Sequence, residues 1–237
     1  MQLTPDQVVY WQWEWWTVNA TLVFTWVTML VLVGVSWLIT RSLETGPDIG
    51  RGQAVLELVV LQIRDQIDEA VPESPELYVP FIGTLFLFIT VSTLLGSVPG
   101  VQVVAASLST AAALAACVFA AVPMFGVARI GLRAYLRHYV RPSPFMLPFH
   151  IIGELSRTLA LAVRLFGNLM SGRVLVGILL SVAPFVFPAV LEAFGLLIGV
   201  IQAYVFAVLA LVYIASGARS FERLEEADRD PVDAALP

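Results

Sequence analysis

The order of apolar and polar positions divides this chain into five long apolar runs and one amphipathic run. From Thr17 to Thr40 almost every residue is apolar or hydroxylated, and Arg41 closes the run. Further apolar runs cover residues 79–98, 102–127, 146–182 and 189–218. Crossing the hydrocarbon core takes roughly 20 apolar residues in a helix, so each run predicts a transmembrane span. Pro184 and Pro188 bracket the turn between the last two, which predicts a hairpin over 146–218. Its first arm is longer than a bilayer requires, so strong tilt is expected. Residues 51–71 differ in kind. Val55, Val59, Ile63 and Ile67 recur every four residues, while Glu57, Arg64, Asp65, Asp68 and Glu69 fill the other side. That pattern predicts an amphipathic helix, too charged to span, lying on the membrane surface or against a partner. Pro72, Pro75 and Pro80 are expected to end it.

The fold class expected is therefore an all-α polytopic membrane protein with one helical membrane domain over 17–218. A segment at 1–16 precedes it and a charged tail at 219–237 follows, expected to fray. Composition agrees: 59% of the 237 residues are hydrophobic and 13% are charged. Soluble domains carry roughly 25% charged residues. The net charge of -5 resides mainly in loops and tails. The lone Cys117 lies in an apolar run and cannot close an internal disulfide, so it is read as packing. Residues 1–16 hold Asp6 and Glu14 but no arginine, the reverse of a signal-peptide n-region. Trp11, Trp13, Trp15 and Trp16 suit a membrane interface.

Charge also sets the orientation. The segment 129–141 carries Arg129, Arg133, Arg137, His138 and Arg141 with no acid, so it is expected to be cytoplasmic. The surface helix and the tail then lie on the cytoplasmic side, and the N-terminus and the turn near 99–101 lie outside. Ser92, Thr93, Ser107, Ser109 and Thr110 around that turn can line a wet cavity or bond their own helix backbone.

The chemistry concentrates in the hairpin. From Phe145 to Ala218 the only charged residues are Glu154, Arg157, Arg164, Arg173 and Glu192. Arg164 falls about 24 Å along a helix entering at Pro148, near mid-bilayer. An arginine there costs roughly 2.5–3.5 kcal/mol on insertion scales, which calls for a partner or a task. Arg157, Leu161, Arg164 and Asn168 share one helix face by their i, i+4, i+7, i+11 spacing. Gln202 is the only amide in the apolar run of the final helix. Glu154 and Ser156 are read either as lining an ion pathway or as N-terminal capping and dipole compensation, and Arg157 as a partner of Glu154.

The sequences RLFGN at 164–168 and IQAYVFAVLALVYI at 201–214 resemble the a subunit of F-type ATP synthase. The likeness covers the last two helices, and the upstream layout fits it. The resemblance implies a stator ion channel with two half-channels flanking an essential arginine, here Arg164, with Asn168 and Gln202 beside it. It implies partners: a c-ring whose carboxylates carry H+ or Na+, peripheral-stalk b subunits, and the lipid of a bacterial plasma (inner) membrane. No cofactor, metal or nucleic acid is implied. The chain would hold no catalytic site of its own, though it would serve a rotary ATPase.

One departure stands out. The family commonly has a glutamate nine residues after the arginine, and Arg173 stands there. The carboxylate some members hold seven residues before the glutamine is replaced by Gly195. If Arg164 lies level with Gln202, paired positions sum to 366 and Arg173 faces position 193, next to Glu192. An Arg173–Glu192 pair is therefore expected. With MLPFHIIGELSRTLALAVRLFGN, this swap resembles the divergent N-type ATPase branch, for which sodium transport has been proposed. The rival readings are an independent ion or anion transporter with a buried arginine substrate site, and a structural scaffold with paired charges. Absence of an internal repeat and of a broken helix pair weighs against a transporter.

Overall fold

The computed structural model describes residues 9–13, 16–41, 50–71, 75–98, 101–131, 147–182 and 187–229. Among these residues six helices form in chain order: α1 (Ala20–Thr40), α2 (Arg51–Ala70), α3 (Pro75–Leu95), α4 (Leu108–Ile130), α5 (Leu147–Val182) and α6 (Phe187–Arg229). All but α2 are long and apolar enough to cross a membrane. The membrane domain is thus all-α and polytopic.

Several boundaries differ from those the sequence predicts, each for a local reason. Val9–Trp13 and Trp16–Asn19 pair as a short antiparallel hairpin, so the first span starts at Ala20 rather than at 17. Aromatic and β-branched residues such as VYWQW suit extended backbone. The prolines after α2 do not all act as breakers. Pro75 opens α3, where its missing N–H is unneeded, and Pro80 lies inside that helix. The third span begins at Leu108, because the run before it forms a 3₁₀ turn at Val104–Ala106. Ser92 Oγ accepts a 3.1 Å hydrogen bond from the Ala105 amide and holds that turn against α3. Val104, Ala105, Ala106 and Ser107 are all buried, so this irregular backbone is shielded by protein, as a membrane requires. The last helix runs on to Arg229 instead of fraying at 219. From Ser220 that stretch, SFERLEEADR, has no glycine or proline and mixes acids with arginines, which favours helix. Residues 230–237 and the basic loop at 132–146, with Arg133, Arg137, His138 and Arg141, lie outside the described residues.

The core is one cluster joining α2, α3, α4, α5 and α6 through Ile67, Ile82, Phe88, Val118, Leu161, Leu165, Phe206 and Ile214. Ala203, Ala207 and Ala210 face this core, where small side chains let neighbouring helix backbones approach closely. At Gly199 of α6 the approach leaves no room for a side chain: a Cβ there would collide with Thr93 of α3. The helix α2 is docked on its own chain rather than free on a surface. Ile67 is fully buried, and Tyr204 of α6 donates a 2.6 Å hydrogen bond to Gln66 Oε1. Its opposite side shows Val55, Leu58 and Leu61. Cys117 is exposed on α4 and does not pack in the core, contrary to expectation.

Candidate functional site

Arg164 lies on the outward face of α5, next to the buried Leu165 and one turn past the buried Leu161. Near it Val163 and, three turns on, Leu175 are exposed apolar residues, while Arg157, Asn168 and Ser171 share its side of the helix. Only 11% of the apolar window in Ile151–Ser181 is buried within the chain. The one ion pair within 4.0 Å among the described residues joins Arg64 to Glu76, far away in sequence, so Arg164 has no carboxylate of its own chain in contact. Arg157, one more turn pair toward the N-terminus, lies with its guanidinium 5.9 Å from the centre of the Tyr213 ring. No ion pair within 4.0 Å joins Arg157 to Glu154 among the described residues. Glu154 and Ser156 stand well inside α5, which begins at Leu147, so neither caps the helix.

Asn168 and Gln202 meet directly. Asn168 Nδ2 donates a 2.5 Å hydrogen bond to Gln202 Oε1. Gln202 is 4% exposed, and its Nε2 is a buried donor with no protein partner. This contact fixes the hairpin register. The pairs Asn168 with Gln202 and Arg157 with Tyr213 both sum to 370, not 366. Arg164 is thus level with Phe206, and Gln202 lies one turn further out. The same shift puts Leu197, not position 193, opposite Arg173. Glu192 is then five residues, about 7.5 Å, from that level. No direct Arg173–Glu192 ion pair forms, and the register explains why.

Both residues nevertheless line one cavity of about 600 Å³, close enough to interact electrostatically. It runs between the link that joins α3 to α4 and the outer halves of α5 and α6. Thr93, Ser97, Asn168, Arg173, Gly195 and Glu192 are among its walls. Thr93, flagged in the sequence, lines it while its hydroxyl donates to the Ile89 carbonyl at 2.8 Å, so both roles weighed for it hold. Ser107 and Ser109 instead bond one another at 2.7 Å. The cavity ends at Asn168, one helical turn from Arg164. Arg164 is not among its walls. A guanidinium on the exposed side of a largely apolar helix, a half-buried amide pair one turn away and a cavity leading from there toward one end of the hairpin make up the site.

The sequence matches the ATP synthase A chain family over residues 22–215. This chain belongs to that family. Chains described as ATP synthase subunit a resemble it along nearly their whole length. One from Crocosphaera subtropica is 58% identical over 217 residues, covering 92% of this chain and 94% of that one. One from Albidiferax ferrireducens is 54% identical over 219 residues, covering 92% and 95%. A third, from Chlorobaculum parvum, is 53% identical over 223 residues, covering 94% and 99%. Within an ATP synthase A chain, the tyrosines at 204 and 213 and the turn at Val104–Ala106 had no distinguishing mark in the sequence. They are ordinary apolar-run residues until the register of the hairpin brings them to their partners.

Proposed function

We propose that this chain is the ion-conducting stator subunit of a rotary ATP synthase in a bacterial plasma (inner) membrane. Arg164 acts on the carboxylates of a rotating c-ring, and H+ or Na+ reaches them through two half-channels. The observation that carries this reading is Arg164, exposed and without an ion pair among the described residues, on a helix apolar enough to span a membrane. Such a charge in lipid is costly, and a partner presenting an acid at that depth removes the cost.

The mechanism follows from the field of that charge. A ring carboxylate crosses lipid in neutral form, loaded with its ion. Opposite Arg164 the ionised form is favoured, because an opposite charge nearby stabilises it. The ion then leaves by one half-channel, and after a ring step the carboxylate reloads from the other. The 600 Å³ cavity supports an outer path reaching Asn168. Glu154 and Ser156, on the other side of Arg164, are assigned to the inner path. Arg164 also repels free cations and so separates the two paths. Peripheral-stalk b subunits are the other assigned partners, holding this chain still.

An independent anion transporter would hold its arginine inside the cavity, whereas Arg164 is absent from the cavity walls. Reconstitution separates the two readings. The purified chain alone should conduct no ions in liposomes and should conduct once assembled with a ring of small hairpin subunits. Conduction by the chain alone at the full rate would contradict the proposal.

A further inference from the structure

Arg173 and Glu192 share the outer cavity but do not touch. In the 370 register Glu192 is level with Ile178, while Arg173 lies deeper, nearer Asn168 and Arg164. The space between them is left open by glycines. Gly172, Gly177 and Gly195 line the cavity, and a Cβ on any of them would meet no atom within 4 Å. A guanidinium without an ion pair in a membrane-spanning segment needs water or another partner for its donors. A volume of 600 Å³ holds on the order of 20 waters at about 30 Å³ each, enough to hydrate both charges. Among the described residues Glu192 is the only acid on the cavity walls, and Arg173 the only base. The remaining polar walls are neutral: Asn168 on α5, Thr93 on α3 and Ser97 just after it.

A closed ion pair would neutralise both groups and block the mouth. Two separated charges do something else. The carboxylate attracts a cation arriving from outside, and the guanidinium behind it repels the cation so that it does not stay. We propose that Arg173 and Glu192 work in series: Glu192 receives the incoming cation at the cavity mouth, and Arg173 weakens its hold so that the ion is passed on. Arg173 thus acts on Glu192 as Arg164 acts on a ring carboxylate. The proposal rests on the reading of the cavity as the outer access path.

The test uses the complete ATP synthase complex in proteoliposomes. ATP synthesis is measured at a fixed membrane potential while the outer proton concentration is varied, and again while outer Na+ is varied. The variants are Glu192→Gln, Arg173→Gln and both together. All three are expected to assemble. Glu192→Gln should raise the outer ion concentration needed for half-maximal rate by roughly tenfold, the scale of one unit charge at several ångströms in a partly wet site. Arg173→Gln should lower it by a similar factor and also lower the maximal rate. The double variant should follow Glu192→Gln in half-saturation and regain maximal rate relative to Arg173→Gln. Unchanged half-saturation in both single variants would overturn the proposal. So would single variants that fail to assemble and a double variant that assembles, the signature of a structural pair. Full synthesis by Arg164→Gln would instead overturn the underlying channel reading, and this proposal with it.

Discussion

Asn168 and Gln202 carry the polar contact that joins the two arms of the hairpin at mid-depth. Replacing Asn168 with Ala takes the partner from Gln202 Oε1 and leaves the buried amide without a protein partner at either end, so it should cost more than replacing Gln202 with Leu. In a double-mutant cycle on the thermal stability of the assembled complex, the coupling should be about 0.6 kcal/mol and at most about 1.7 kcal/mol. Zero coupling would mean that the amides do not meet. At this scale the sequence was informative about which residues matter and silent about their order in depth. Arg164, Arg173, Glu192, Asn168 and Gln202 stand out because charges and amides are rare in an apolar run. Their relative heights do not stand out. Sliding the hairpin by four residues turns a helix by only about 40° from its original facing, so the 366 and 370 registers bury nearly the same stripe. The specific contacts of Asn168 and Arg157 decide between them.

Between elements, α3 and α6 cross at Gly199 with no room for a Cβ. Gly199→Ala should destabilise the complex by about 1–3 kcal/mol through overpacking against Thr93. Adding Thr93→Ala removes the colliding methyl and should recover most of the loss in thermal inactivation assays; an equal loss in single and double variants would contradict this packing. The docking of α2 has its own test. With Cys117 replaced by Ala, cysteines at Gln66 and Tyr204 should be joined by a bifunctional thiol reagent as long as the two side chains they replace, because those side chains meet at their tips. Failure to cross-link would place α2 away from α6. Helix type was legible throughout, because the periodicity of 51–71 and the length of the apolar runs each allow few alternatives. The 3₁₀ turn at Val104–Ala106 was hidden because VQVVAAS has the hydropathy of a span. Its irregular backbone depends on Ser92, more than ten residues earlier, and no local pattern records such a partner. The extension of α6 to Arg229 lay in the propensities of the tail, which charge alone obscured.

For the whole molecule, orientation and the outward face of α5 set what the chain can do. By the positive-inside rule the arginines of 129–141 are expected to lie on the cytoplasmic side. With Cys117 replaced, a cysteine at Thr4 should react with an impermeant thiol reagent in intact cells, while one at Ser143 should not. The reverse labelling would invert the topology and exchange the inner and outer paths. Helices α1 and α5 bury only 6% and 11% of their apolar windows within the chain, so most of their surface meets lipid or other subunits. On α5 that surface carries Arg164, and the account turns on this one charge. The direct measurement is ATP-driven ion pumping by reconstituted complexes carrying Arg164→Ala, with assembly checked by copurification of the ring. The account predicts an assembled complex whose pumping falls to background. Normal pumping by that assembled variant would contradict it.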